Sequence, residues 1–146
     1  MSLKVVVGSR SRSRSKEAME ILEKNGYILE LNPFDRTMTE DELIERIKGA
    51  SALVAGSDKV TKRVLEAGSP TLKIVAKQGV GYNTIDIEAA KELGIAVTIT
   101  PGANSKSVAD LTMGLILNAA RNISGMDRAI RNNEWYRYTG CELNNK

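Results

Sequence analysis

The chain has no histidine, and one residue each of cysteine, tryptophan and phenylalanine, in 146 residues. Without histidine, the commonest general acid–base group and the commonest metal-binding imidazole are both gone, so no metal site is expected. A single cysteine, Cys141, excludes an internal disulfide and fits a reducing, cytoplasmic setting. With no histidine to pair with it, Cys141 makes a poor nucleophile. The one aromatic cluster, Trp135-Tyr136-Arg137-Tyr138, is read as packing rather than as a base-stacking platform. Long apolar runs are also missing. The richest stretch, Val108 to Ala120, carries Asp110 and Asn118 and falls short of the ~20 residues a membrane span needs. No signal peptide is expected, because Met1-Ser2-Leu3 leads directly into a strand pattern. The charge excess of 21 basic over 18 acidic residues, a formal +3, is too mild to argue for a nucleic-acid partner.

What remains is an alternation of short apolar runs with helical patterns. Lys4 to Val7, Ile28 to Leu31, Ala52 to Ala55, Lys73 to Ala76 and Ala96 to Ile99 have the apolar character of strands in a covered parallel sheet. Ser15 is placed to cap a helix carrying Ala18, Ile21 and Leu22, which stops at Asn25-Gly26. Thr39 and Glu42 have capping-box spacing before Leu43, Ile44 and Ile47, and Gly49 ends that helix. Val60, Val64 and Leu65 mark a third helix closed by Gly68 and Pro70; Ile85, Ala89 and Leu93 mark a fourth closed by Gly94. Five such units predict an α/β fold of flavodoxin-like type, a five-stranded parallel sheet with helices on both faces. Ser107 and Asp110 predict a further long helix running to Ile123. One stripe on it holds Val108, Leu111, Leu115, Ala119 and Ile123, and a second holds Met113, Ile116, Leu117 and Ala120. A helix apolar on so many faces needs cover on more than one side. A short amphipathic helix is expected over Met126 to Asn133.

Two strand-to-helix corners concentrate the chemistry. The fourth strand empties into Lys77-Gln78-Gly79-Val80-Gly81-Tyr82-Asn83-Thr84, and the fifth into Pro101-Gly102-Ala103-Asn104-Ser105. Such corners are where open α/β sheets bind ligands. The first nearly matches a dinucleotide fingerprint. However, Thr84 replaces its third glycine and no acidic residue follows the next strand to hold a ribose. A bed of backbone N–H groups for a carboxylate or phosphate is the stronger reading, beside the bland one of a tight turn that needs glycine. The run Ser9-Arg10-Ser11-Arg12-Ser13-Arg14-Ser15 could bind phosphate or RNA, but a solvated basic loop is the commoner meaning of such a run. A phosphate-accepting receiver would need paired acids after the first strand and an aspartate ending the third. Gly8-Ser9-Arg10 and Gly56-Ser57 stand there instead.

Lys73-Ile74-Val75-Ala76-Lys77-Gln78-Gly79-Val80-Gly81-Tyr82-Asn83-Thr84-Ile85-Asp86, followed by Glu88-Ala89-Ala90 and Gly94-Ile95, resembles the D-isomer-specific 2-hydroxyacid dehydrogenases. Pro101 to Asp110 is similar to the second hallmark of the same family, and the closest likeness is to the phosphoglycerate dehydrogenases. The resemblance covers essentially the whole chain. It implies an NAD-dependent oxidoreductase of serine biosynthesis, acting on a 2-hydroxy acid.

The resemblance also assigns roles. Lys77, Gln78, Val80, Gly81 and Asn104 would bind substrate, the carboxylate resting on the amides of Val80 and Gly81. Val80 and Val108 would flank the cofactor, and Leu111, Leu115, Ile116 and Ala119 would form a homodimer interface. Residues 1–104 would form the substrate-binding domain, and residues 105–146 a crossover and dimerisation helix with the start of a nucleotide-binding domain. Asn83-Thr84 departs from the family's usual Asp-Asn. The catalytic arginine, glutamate and histidine that the family implies would lie beyond Lys146. No catalytic residue and no bound NAD are therefore expected of this chain, only weak binding of a 2-hydroxy acid. The rival expectations are a non-enzymatic homodimeric binding module or decoy subunit and, more weakly, a phosphate or RNA binder through Arg10 to Arg14.

Overall fold

A computed structural model describes residues 3–10 and 15–144. The basic loop beyond Arg10, namely Ser11, Arg12, Ser13 and Arg14, lies outside the described residues. The chain order is β1 (Lys4–Val7), α1 (Lys16–Lys24), β2 (Ile28–Leu31), α2 (Glu40–Ile47), β3 (Ala52–Ala55), α3 (Lys62–Gly68), β4 (Ile74–Lys77), α4 (Ile87–Glu92), β5 (Ala96–Thr98), α5 (Ser105–Arg121) and α6 (Ile123–Arg131). Two compact units result, Met1–Gly102 and Ala103–Lys146.

The first unit is a five-stranded parallel sheet in the order β2-β1-β3-β4-β5. Val6 aligns with Leu53, Leu53 with Val75 and Val75 with Val97. With the period of two, these four residues share one face. Against that face pack Leu43 and Ile47 of α2, Val64 and Leu65 of α3, and Ala89 and Ala90 of α4, forming the core. The step from β1 to β2 runs along the sheet in the opposite sense to the later steps. Right-handed crossovers therefore put α1 on the face opposite α2, α3 and α4. The two faces are unequally sealed. Leu53 and Val75 are fully buried, whereas α1 buries no residue and its Ile21 remains 55% exposed.

The expected caps form. Ser15 Oγ accepts from Ala18 N at 3.2 Å. Thr39 and Glu42 close a reciprocal capping box, with Glu42 N donating to Thr39 Oγ1 at 3.3 Å and Thr39 N to Glu42 Oε2 at 2.8 Å.

Several expected boundaries are corrected. β4 is displaced by one residue, because Lys77 stays in the ladder opposite Ala55. β5 ends at Thr98, since the N–H of Thr100 already turns toward Gly79 O. Val60 and Ile85 belong to no helix. They form an isolated parallel bridge in which Val60 N donates to Thr84 O and Asp86 N to Val60 O, at 2.8 and 2.9 Å. Apolar spacing counted both as helical because each sits one turn before a helix and feeds the same core.

In the second unit, α5 begins at Ser105 rather than Ser107, with Asn104 at the N-cap position and no side-chain cap bond. It ends at Arg121, where Asn122 adopts the left-handed conformation at φ 49°. Ile123 therefore opens α6 and is not on the α5 stripe; α6 itself ends at Arg131, not Asn133.

Candidate functional site

In a parallel sheet of this order, side chains and loops at the carboxyl ends of the strands face the ligand side. Here that edge is built from Gly8 and Ser9 after β1, Asn32 after β2, Gly56 to Asp58 after β3, the loop after β4, and Thr100 after β5.

The β4 loop is shaped by Gly79, whose φ of +133° is a conformation that side-chain-bearing residues rarely adopt. It is pinned from both sides. Gln78 N donates to Ala55 O at 2.8 Å, Gly79 N donates to Thr100 Oγ1 at 2.9 Å, and Thr100 N donates back to Gly79 O at 3.0 Å. The backbone groups of residue 79 are thus consumed, and the next two N–H groups are not. Among the described residues, neither Val80 N nor Gly81 N has an intramolecular acceptor. Val80 is 47% exposed, and Gly81 is exposed with its nearest obstacle, Asn83 Oδ1, 3.5 Å from where a Cβ would stand. Two adjacent exposed donors on a pinned turn have the geometry to receive an anion.

Lys77 enters this corner half-buried from the end of β4, its Nζ donating to Gly56 O. Gln78 is exposed beside it. Lys77, Gln78, Val80 and Gly81 thus share the β4 corner, with the Lys77 ammonium on the Gly56 carbonyl. Asn32 steadies the neighbouring loop, its buried Nδ2 donating to Gly8 O and Arg36 O at 2.9 Å each, while its Oδ1 accepts from Phe34 N at 2.8 Å.

Three residues at this edge carry weight that sequence pattern did not assign. Thr100 clamps the loop. Asp58 is fully buried, Oδ2 accepting from Gly56 N at 3.0 Å and Oδ1 having no partner. Asp86 is the N-cap of α4, its Oδ1 accepting from Ala89 N at 3.0 Å. Of these, only Asp86 left a readable signal, an aspartate one residue before a helical run.

Asp86 also bears on whether this loop fits a dinucleotide. A pyrophosphate needs the free N–H groups and positive end of a helix directly after the glycines. Here five residues, Tyr82 to Asp86, separate Gly81 from α4, and an acidic side chain already caps that helix. The corner is therefore not built to seat a dinucleotide's pyrophosphate, and its free N–H pair is of a size for a small carboxylate or phosphate.

In the second unit, Asn104, Ser105, Val108, Ala109, Thr112 and Met113 line an open hollow of about 460 Å³. Asn104 and Val108 are thus neighbours there, Val108 being 51% exposed. Helix α5 buries no residue at all: Leu111, Leu115 and Ile116 are 62, 57 and 42% exposed, and Ala119 is exposed too. Among the described residues, no helix is long and apolar enough to cross a membrane, and no cluster of histidine, cysteine or acidic residues could hold a metal ion.

Comparison with known proteins gives the arrangement its context. The sequence profile of the D-isomer specific 2-hydroxyacid dehydrogenase catalytic domain matches residues 5–141. The chain is 43% identical over 134 residues to a D-3-phosphoglycerate dehydrogenase of Methanocaldococcus jannaschii, covering 90% of this chain and 25% of that protein. It is 40% identical over 121 residues to a hydroxypyruvate reductase of Thermotoga maritima, covering 82% of this chain and 38% of the relative. Among solved structures, the NAD+-bound 3-phosphoglycerate dehydrogenase of Entamoeba histolytica superimposes with a TM-score of 0.77 at 32% identity, over 98% of this chain and 44% of that one. A 2-hydroxyacid dehydrogenase from a Polaromonas species gives a TM-score of 0.79 at 32% identity, over 98% and 44%. The chain thus spans between a quarter and a little under half of these relatives. With the profile running almost from end to end of the sequence and the five-stranded sheet shared with these solved structures, the chain belongs to the D-isomer-specific 2-hydroxyacid dehydrogenases, a family of oxidoreductases whose cofactor is NAD.

Proposed function

We propose that this chain is the substrate-holding part of a phosphoglycerate-dehydrogenase-like enzyme, and that it grips the carboxylate of a 2-hydroxy acid at the β4 loop. The observation that carries this is the pair of unpartnered N–H groups at Val80 and Gly81, held rigid by the exchange between Gly79 and Thr100. Lys77 supplies the charge and Gln78 a polar edge, while Asn104 is assigned to substrate by its motif alone. Val80 and Val108 are assigned to the nicotinamide side on the same motifs. When bound, NAD accepts or donates the hydride. The residues of this chain bind and orient the acid, and none is assigned the proton. With no histidine in the sequence and a β4 loop not built to seat a dinucleotide's pyrophosphate, the chain by itself is proposed to bind weakly and to turn nothing over.

Residues 1–104 are the proposed substrate domain. Residues 105–146 are the proposed crossover and dimerisation region with the beginning of a nucleotide domain. The support for a homodimer is the exposure of Leu111, Leu115 and Ile116 along α5. A stripe of that size left in water would forgo roughly 1.5–3 kcal/mol per side chain. A reducing, cytoplasmic location is proposed on the strength of the single cysteine. The non-enzymatic reading as a homodimeric binding module or decoy shares the α5 surface and differs only in needing no carboxylate.

Calorimetric titration with glycolate, and with the neutral isostere glycolamide, tests the proposal. Glycolate should bind at millimolar Kd, about 4 kcal/mol. Glycolamide should bind several-fold more weakly, and Lys77→Met should weaken glycolate binding and narrow the difference while leaving the amide contacts in place. Equal binding of the two ligands would refute a carboxylate site.

A further inference from the structure

Asp58 is the one described carboxyl group that is wholly buried and has an oxygen without a partner. It sits at the carboxyl ends of β1 and β3, neighbours in the sheet and the point from which the crossovers depart in opposite directions. Room for it is made by two glycines. A Cβ on Gly8 would stand 2.4 Å from Asp58 Oδ2, and one on Gly56 would stand 3.5 Å from the same oxygen and 3.2 Å from Ser9 Cα. The crevice is therefore shaped around this side chain, and a buried carboxyl is costly to keep unless it does something.

Its one hydrogen bond shows what that is. Asp58 Oδ2 holds the N–H of Gly56, and the carbonyl of the same residue receives the ammonium of Lys77. Gly56 is clamped from its two backbone ends, by an acid on one side and by the site's cation on the other. Resting on the carboxylate reading of the β4 loop given above, the geometry points to Asp58 as the positioning residue for Lys77. It fixes the Gly56 carbonyl, and through that carbonyl it sets where the Lys77 ammonium stands relative to the Val80 and Gly81 amides. Asp58 touches no ligand itself; its carboxyl oxygens are enclosed and act through Gly56, whose N–H it holds while Lys77 holds the carbonyl on the far side of the same Cα.

A double-mutant cycle on the intact chain, read by amide chemical shifts at Val80 and Gly81 during glycolate titration, tests this. Asp58→Ala should weaken glycolate binding roughly five- to tenfold, the net scale of one hydrogen bond. In a Lys77→Met background the same change should have almost no further effect, because the residue it positions is gone. Asp58→Asn, which keeps an oxygen for Gly56 N–H, should restore binding to within about twofold. If Asp58→Ala does not fold, Asp58→Val, which has no acceptor for Gly56 N–H, carries the same cycle. Losses that add in the double mutant would overturn the inference, and so would native binding in Asp58→Ala. No shift at Val80 or Gly81 in the native chain would instead overturn the carboxylate site on which the inference rests.

Discussion

Gly79 and Thr100 hold each other by a reciprocal pair of hydrogen bonds. Gly79 N donates to Thr100 Oγ1 at 2.9 Å, and Thr100 N donates to Gly79 O at 3.0 Å. One bond uses a side chain and the other only backbone, so substitution can separate them. Thr100→Val keeps the shape and the backbone bond but leaves Gly79 N without its acceptor. Chemical denaturation should show a loss of about 1 kcal/mol, because Thr100 is exposed and water can replace the lost partner. Glycolate affinity should fall in parallel as the loop loosens. Unchanged affinity with lowered stability would separate the clamp from the site.

Acid should loosen the entry to α2. Glu42 is held down to about 2 by the Arg36 guanidinium, which bonds it at 2.7 and 2.8 Å, and by the backbone N–H of Thr39. A carboxylate lowered in the folded state contributes stability that is fully present above its ordinary value of 4.5 and lost as pH falls from there toward about 2. Glu42→Gln should therefore flatten the stability profile between those values while changing little at pH 7 beyond the lost pairing. An unaltered acid limb in that variant would show that Glu42 does not set it.

Association should run through α5. Replacing Leu115 and Ile116, 57 and 42% exposed, with lysine should convert a dimer into a monomer at micromolar concentration, read by sedimentation equilibrium. A native chain that sediments as a monomer at high micromolar concentration would count against the interface.

The core should be unforgiving on one face of the sheet only. Leu53→Ala removes a fully buried side chain packed between sheet and helices and should cost about 2–5 kcal/mol. Ile21→Ala on α1, where the side chain is 55% exposed, should cost well under 1 kcal/mol. Thermal melts of the two variants check the contrast.

The strands and most of the helices were legible because short apolar runs bounded by glycine and by capping residues act locally. Thr39 and Glu42 sit three residues apart and form the box that their spacing predicts. What was not legible depended on partners distant in sequence. Val60 and Ile85 have helical spacing, yet they pair with each other across 25 residues, a contact no local window contains. Asn122 is a residue type that enters the left-handed conformation, but the apolar spacing of α5 runs past it to Ile123 and hides the split between α5 and α6. At the candidate site, the glycines and the loop were visible. The Thr100 clamp and the Asp58 brace were not, since a threonine 21 residues downstream and an aspartate after another strand acquire their meaning only when the sheet brings their ends together.

Val80 and Gly81 are the proposed carboxylate cradle. Its most direct test is an amide-resolved titration of the isotope-labelled chain with glycolate at low ionic strength. The account predicts saturable shifts centred on Val80 and Gly81, spreading to Lys77 and Thr100, with millimolar midpoints. Shifts centred instead on the residues around Arg10, with Val80 and Gly81 unmoved, would contradict it.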